Sequence, residues 1–201
     1  MKHSKLWMLA AILICGMGFT SCGDKKTDKE PEKKVEEEVK LVYNPAVCNA
    51  AIEDYLVNEI GKNYAEGEVC IASPFVLSTE FGNLENILVW GDFWVFNYNL
   101  SGDTLKTVSG GNHPGLMYLK QTKDGCEVTK FEEVADGADN EESAKKIFGD
   151  QYEGFRDINS NEEKREDIRR QFVSDYLKKH NISATMIQDY GWPAVALPQV
   201  E

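Results

Sequence analysis

The run ILVWGDFWVFNYNL at residues 87–100 carries the strongest strand signal in the chain. β-Branched and aromatic residues dominate it, and they alternate as a pleated strand requires. Trp94, Phe96, Tyr98 and Leu100 fall on one face, Phe93 and Val95 on the other. Because both faces are apolar, both are expected to be covered. Trp90, Trp94, Phe96 and Tyr98 suit either an aromatic surface for a sugar or peptide or a packed core. The core reading is adopted for Trp94 and Phe96, with the N-terminal helix as the expected neighbour.

The flanking segments continue the strand pattern. Ser101-Gly102-Asp103 reads as a turn and residues 104–108 as the returning strand. Residues 109–115 (SGGNHPG) are expected to form an irregular loop. Residues 116–122, a Lys123-Asp124-Gly125 turn and residues 126–134 form a hairpin, since Asp-Gly tolerates the positive φ of a tight turn. Upstream, residues 69–72 and 75–81 are candidate strands divided by Pro74, which marks a bulge or an edge. Before them, Asn44-Pro45 offers an N-cap and a first-turn proline. Val47, Cys48, Ala51, Ile52, Tyr55 and Leu56 then recur at helical spacing, and Gly61 closes the helix.

Helical periodicity returns after the sheet. Residues 140–148 read as a short helix ended by Gly149. Ser160-Asn161-Glu162-Glu163 is a capping box that opens a helix to His180. Its apolar stripe is Ile168, Phe172, Val173, Tyr176 and Leu177, with Glu, Lys and Arg expected on the other face. The tail over 188–197 holds a compact turn, Asp189-Tyr190-Gly191-Trp192-Pro193, expected to pack back on the body. No internal repeat is present. A helix, a run of strands and no βαβ alternation define an α+β fold.

That order of elements over residues 45–134 resembles the cystatin/nuclear-transport-factor-2-like group. The resemblance implies an N-terminal helix packed on a curved antiparallel sheet, to which the C-terminal helices are additions. It also implies an open, cone-shaped mouth where polar residues such as Asp92, Asn97 and His113 line a ligand site. His113 can there serve as an acid, a base or a hydrogen-bond donor. The alternative for residues 109–115 is a crossover in which His113 only caps the turn.

The N-terminus carries an address. Lys2 and Lys5 precede an apolar run at 6–19, then the small pair Thr20-Ser21, the layout of a secretory signal over residues 1–21. Residues 19–26 (FTSCGDKK) resemble the relaxed lipobox of Bacteroidetes envelope lipoproteins, with Phe19 in place of the usual Leu. The resemblance implies lipidation of Cys22, a cell-envelope location, and membrane attachment through that lipid. An ordinary signal peptide with a free Cys22 is the alternative. Residues 22–40 are rich in Lys and Glu, have little to bury and read as a charged flexible tether. The remaining 41–201 suffice for a single globular domain. Asp103-Thr104-Leu105 resembles the O-glycosylation signal of the same envelope proteins, with Thr104 as acceptor on an exposed turn.

The chain has 22 basic and 34 acidic residues. Loss of residues 1–21 removes Lys2 and Lys5 and no acid, leaving a net charge near −14. Such an excess repels phosphates, so no nucleic-acid partner is expected. Cys48, Cys70 and Cys126 remain after the leader and Cys22, so at most one intramolecular disulfide can form among them. No metal site and no cofactor are expected, and no established catalytic signature is present. The leading expectation is a non-catalytic binding or interaction module whose ligand is a protein, peptide or glycan, with Trp192 as a further candidate ligand-binding residue beside Asp92, Asn97 and His113. The alternatives are a small enzyme using His113 in the cone of the sheet, or an inhibitor of a secreted hydrolase. The hairpin lacks the Q-x-V-x-G of cystatin-type inhibitors.

Overall fold

The computed structural model describes residues 41–199. The leader expected over 1–21, Cys22 and the tether expected over 22–40 lie outside them. Asn44 caps the first helix: its side-chain oxygen accepts from the backbone N–H of Ala46 and Val47 at 3.1 and 3.4 Å. Helix α1 (Pro45–Tyr55) widens into a π turn (Leu56–Ile60) and tightens into a 3₁₀ turn (Gly61–Asn63). The helical path therefore runs past the glycine expected to end it.

Four strands follow as an antiparallel meander: β1 (Val69–Glu80), β2 (Ile87–Ser101), β3 (Thr104–Thr122) and β4 (Gly125–Glu133). Helices α2 (Asn140–Phe148), α3 (Tyr152–Asn159) and α4 (Glu162–His180) come next. The tail adds β5 (Met186–Gln188), parallel to the start of β3, and β6 (Val195–Ala196), antiparallel to β5. The order is β1-β2-β3-β5-β6, with β4 also on β3, so β1 is an edge strand. The fold is α+β around a six-stranded, mainly antiparallel sheet.

Two expectations are corrected in the sheet. Pro74 does not divide two strands. It lies inside β1 opposite Phe93, and an edge strand tolerates a residue with no N–H to donate. Residues 109–115 are not a loop either: β3 runs straight through them, pairing with residues 91–97 of β2. The glycines that suggest a break instead permit close approach. At Gly110, φ is +144° and a Cβ would meet the Val95 carbonyl oxygen at 2.3 Å. Pro114 lies one residue before the part of β3 that pairs with β4, where the outer edge of β3 has no partner strand.

The two faces of β2 are covered by different helices. On one face Cys48, Ile52 and Leu56 of α1 and its extension, spaced four apart, pack on Val89, Phe93, Val95, Met117 and Leu119. On the other, Val173 and Leu177 of α4 pack with Ile71, Tyr98, Leu105, Ile187 and Leu197. A third cluster joins Phe148 and Phe155, stacked at 4.1 Å, to Val134 and Ala144. Each buried side chain of this size contributes roughly 1.5–3 kcal/mol. Trp94 and Phe96 do pack inward, but against α4, with Arg165 over Trp94 and Arg169 over Phe96, and not against the N-terminal helix.

The C-terminal helices depart from the expected pattern in two ways. Asn161, not Ser160, caps α4, accepting from the Lys164 N–H at 3.0 Å. Ser160 ends α3, a helix not expected from the sequence, and its hydroxyl donates to the Asp157 carbonyl. The face of α4 turned to the sheet is the four-residue ladder Arg165, Arg169, Val173 and Leu177, so two of the arginines assigned to solvent are turned inward. Among the described residues no helix is long and apolar enough to cross a membrane.

Candidate functional site

The three polar residues expected to share one mouth are divided between the two faces of the sheet. His113 pairs with Phe93 and Asn97 with Ser109, so both look toward α1 and its extension, whereas Asp92 looks toward α4. Asn97 is buried and its Nδ2 donates to the Gly61 carbonyl at 3.3 Å, fixing the end of the helical extension to the sheet. That is a structural bond with no opening toward a ligand.

His113 is tied at both ring nitrogens. Its Nε2 is 2.9 Å from the Tyr64 hydroxyl and its Nδ1 is 2.5 Å from Glu133 Oε1. In the tautomer with the proton on Nδ1, Tyr64 donates to Nε2 and Nδ1–H donates to Glu133. Burial, then the nearby Glu133 and Asp136 charges, push the Tyr64 hydroxyl above the usual tyrosine range, so it stays protonated as this chain requires. A relay of this kind can move a proton, but His113 has no free nitrogen to offer a substrate. Gly111 faces the same hydroxyl, and a Cβ there would meet it at 2.7 Å. The glycine approaches Tyr64, not a ligand.

Asp92 is 2% exposed. Neither of its carboxylate oxygens has a hydrogen-bonding partner, and Arg165 Nη1 stands off at 3.7 Å. Burial pushes its carboxyl up, against weaker downward pulls from Trp94, Arg165 and Asn112. The surrounding space, lined by Ser73, Phe75 and Ile168 among others, is too small for an organic ligand. Thr104 begins β3 half-buried, and its hydroxyl donates to Asp103 at 3.1 Å.

Trp192 is the sequence-derived candidate that the fold presents outward. Tyr190 is 96% exposed and Trp192 71% exposed. The turn that carries them is nonetheless held firmly. Gly191 adopts φ +81°, the Trp192 N–H donates to the Asp189 carbonyl at 3.1 Å, and Gln188 Nε2 donates to the Trp192 carbonyl at 3.0 Å. At its root, Asp189 accepts from Arg169 Nη2 at 2.7 Å, Arg169 Nη1 at 3.1 Å and the Thr107 hydroxyl at 2.5 Å. Although burial opposes it, the bonds from Arg169 and Thr107 hold the Asp189 carboxyl below its ordinary value.

Arg169 is 3% exposed and completes its donor set with Tyr98, Glu166 and Thr107. Burial works against its charge, but Tyr98, Asp189 and Glu166 outweigh that and raise its pKa. Composition and periodicity do not reveal this cluster, because Arg169 reads as a solvent-facing charge. The one available signal was its four-residue spacing from Val173.

The larger surface hollows lie elsewhere. One of them, about 440 Å³, opens along the free edge of β1 between α1 and α4, over Cys70 and Ala72. No three His, Cys, Asp or Glu side chains among the described residues converge as metal ligands. No protein-family model matches the chain, and no similar curated protein or solved structure was found.

Proposed function

We propose that this chain is a Bacteroidetes-type envelope lipoprotein, anchored through Cys22, whose domain is a non-catalytic module for binding another protein. The observation that carries the reading is the anchored turn with Tyr190 and Trp192 exposed at its tip. Large rings are costly to leave in water, and rings on a pre-ordered turn lose little further freedom on binding. The turn is convex, and the larger hollows lie away from it, so the rings suit a hollow on a partner better than a ligand drawn into this domain. The basic, apolar and small-residue order of residues 2–21 supports the anchor. Thr104 is kept as a proposed glycan acceptor on the Asp-Thr-Leu triplet alone, since it stands half-buried at the head of β3 and not on the exposed turn expected.

Photo-crosslinking tests the binding reading. A benzoyl-phenylalanine at position 190 or 192, in cells expressing the lipoprotein from its own gene, should capture one discrete protein. The same probe at Lys123, in the hairpin turn, should not. Equal products at all three positions, or none at 190 and 192, overturn the reading. For the anchor, Cys22→Ser should move the protein from the membrane fraction to the soluble one, and unchanged fractionation would refute it.

A further inference from the structure

Cys48 on α1 and Cys126 near the start of β4 face each other across the boundary between helix and sheet. Their Sγ atoms are 2.8 Å apart, although 78 positions separate them in the chain. Non-bonded sulfurs do not ordinarily rest so close, and a disulfide needs about 2.05 Å, so closure asks for less than about 1 Å of travel. The backbone on the helix side is pinned. Gln121 Oε1 accepts from the Asn44 N–H at 2.8 Å and its Nε2 donates to the Val42 carbonyl at 2.8 Å, while Oε1 also lies 3.6 Å from Cys48 Sγ. All three cysteines of the described residues are free thiols. Cys70 is on β1, which β2 and β3 separate from β4, so it cannot take the place of Cys48 at Cys126.

We propose that Cys48 and Cys126 form an oxidisable pair that closes to a disulfide by exchange with an external low-molecular-weight disulfide. Access sets the order of events. Cys48 is 1% exposed, whereas Cys126 is half-buried beside the hairpin turn and borders surface hollows with Lys120, Asp124 and Glu127. The Cys126 thiolate attacks one sulfur of the external disulfide, whose S–S bond breaks and whose other half leaves as a thiol carrying a proton. Cys48 then attacks Cys126 Sγ, gives up its own proton and expels the second thiol. Two protein thiols and one external disulfide become one protein disulfide and two external thiols, with two electrons passing to the reagent. Burial raises both thiols above the ordinary cysteine value, and burial together with Cys126 pushes Cys48 up to about 12. Closure is therefore slow without a reagent that reaches Cys126. The product ties α1 to β4 covalently and closes a long loop.

The test uses the full chain, purified under reductant and then exposed to glutathione disulfide. Free thiols are alkylated without reduction and the digest is mapped. The expected product is a Cys48–Cys126 linked peptide two hydrogens lighter than the separate peptides, with Cys70 alkylated. The thermal midpoint should rise by on the order of 10 °C and return with dithiothreitol. Cys70→Ser should keep the rise. Cys126→Ser, checked for native circular dichroism, should lose it. Alkylation of both Cys48 and Cys126 after oxidation, or an equal share of links to Cys70, overturns the proposal.

Discussion

Replacing Arg169 by Met keeps much of the aliphatic stem and removes the guanidinium. The Tyr98 hydroxyl, on a residue with no exposure, loses the 3.1 Å bond from Arg169 Nε. An orphaned buried hydroxyl costs about 1–3 kcal/mol. The cation 4.2 Å from the Phe96 ring is lost as well, at about 0.5–2 kcal/mol. Asp189 loses both guanidinium bonds, but its side chain is 40% exposed, so water takes their place and this part is held to about 0.5–1 kcal/mol. Met recovers some packing, which leaves a net loss of about 3 kcal/mol, at the low end for breaking a buried charge pair. Urea unfolding followed by circular dichroism should show the midpoint falling by about 1.5 M, taking a slope of about 2 kcal/mol/M for a domain of this size. The double variant Arg169→Met/Tyr98→Phe should lose less than the sum of the two singles, because no hydroxyl is left unpaired. A single-variant loss below about 1 kcal/mol, or strict additivity in the double, would refute the account of Arg169 as the bonded centre of this face.

Asp92→Asn should stabilise the domain at pH 7 by about 1 kcal/mol, because it removes a buried charge that no hydrogen bond satisfies. The sign follows from the raised folded-state pKa of Asp92: its penalty is absent below the unfolded carboxyl value and grows as pH rises through the folded one. The gap between variant and wild type should therefore shrink on acidification, and a pH-independent gap in thermal melts would refute the assignment. Gly110→Ala should destabilise by about 2–4 kcal/mol, since the Cβ strikes the Val95 carbonyl and φ is positive. A thermal midpoint within 2 °C of wild type, on the order of 1 kcal/mol or less, would contradict that geometry. Tyr64→Phe should cost about 1 kcal/mol by losing its bond to His113. The 15N resonance of His113 Nε2 should then move at fixed pH, and an unchanged resonance would show that the hydroxyl does not bond the ring.

The parts of the fold legible in the sequence are those where local pattern and tertiary packing agree. The alternation at residues 87–100 gives a doubly covered strand, and Asn44-Pro45 marks the start of α1, because caps and pleats are local chemistry. Residues 109–115 were illegible because three glycines and a proline signal a break, whereas the β2 partner and the unpaired outer edge of β3 make them acceptable in a strand. Arg169 was illegible for a different reason. A charge on a helix is ordinarily solvated, and only the later return of Asp189 from the tail supplies the partner that lets it be buried. The same return makes the exposed position of Trp192 intelligible: the ring projects because the residue three before it is the anchor. Asp92, Asn97 and His113 do not share the single mouth expected of them, because one-letter strings do not tell which face of a sheet each residue will share.

The parallel pairing of β5 with β3 has a consequence for how the chain comes to be folded. Thr104 meets Met186 in that ladder, and Leu197 seals the cluster that contains Ile71 and Tyr98. As the chain emerges in order from its N-terminal side, the meander β1 to β4 and helix α1 can assemble early from near neighbours. Its second face then stays greasy and wet until residues beyond 180 have emerged, because α4 alone brings a buried arginine that still lacks Asp189. The nascent domain is thus a sheet with one side finished, exposed to chaperones and proteases during that interval. Truncation within the tail should be more damaging than its length suggests, since it leaves the earlier elements formed but with half their core open.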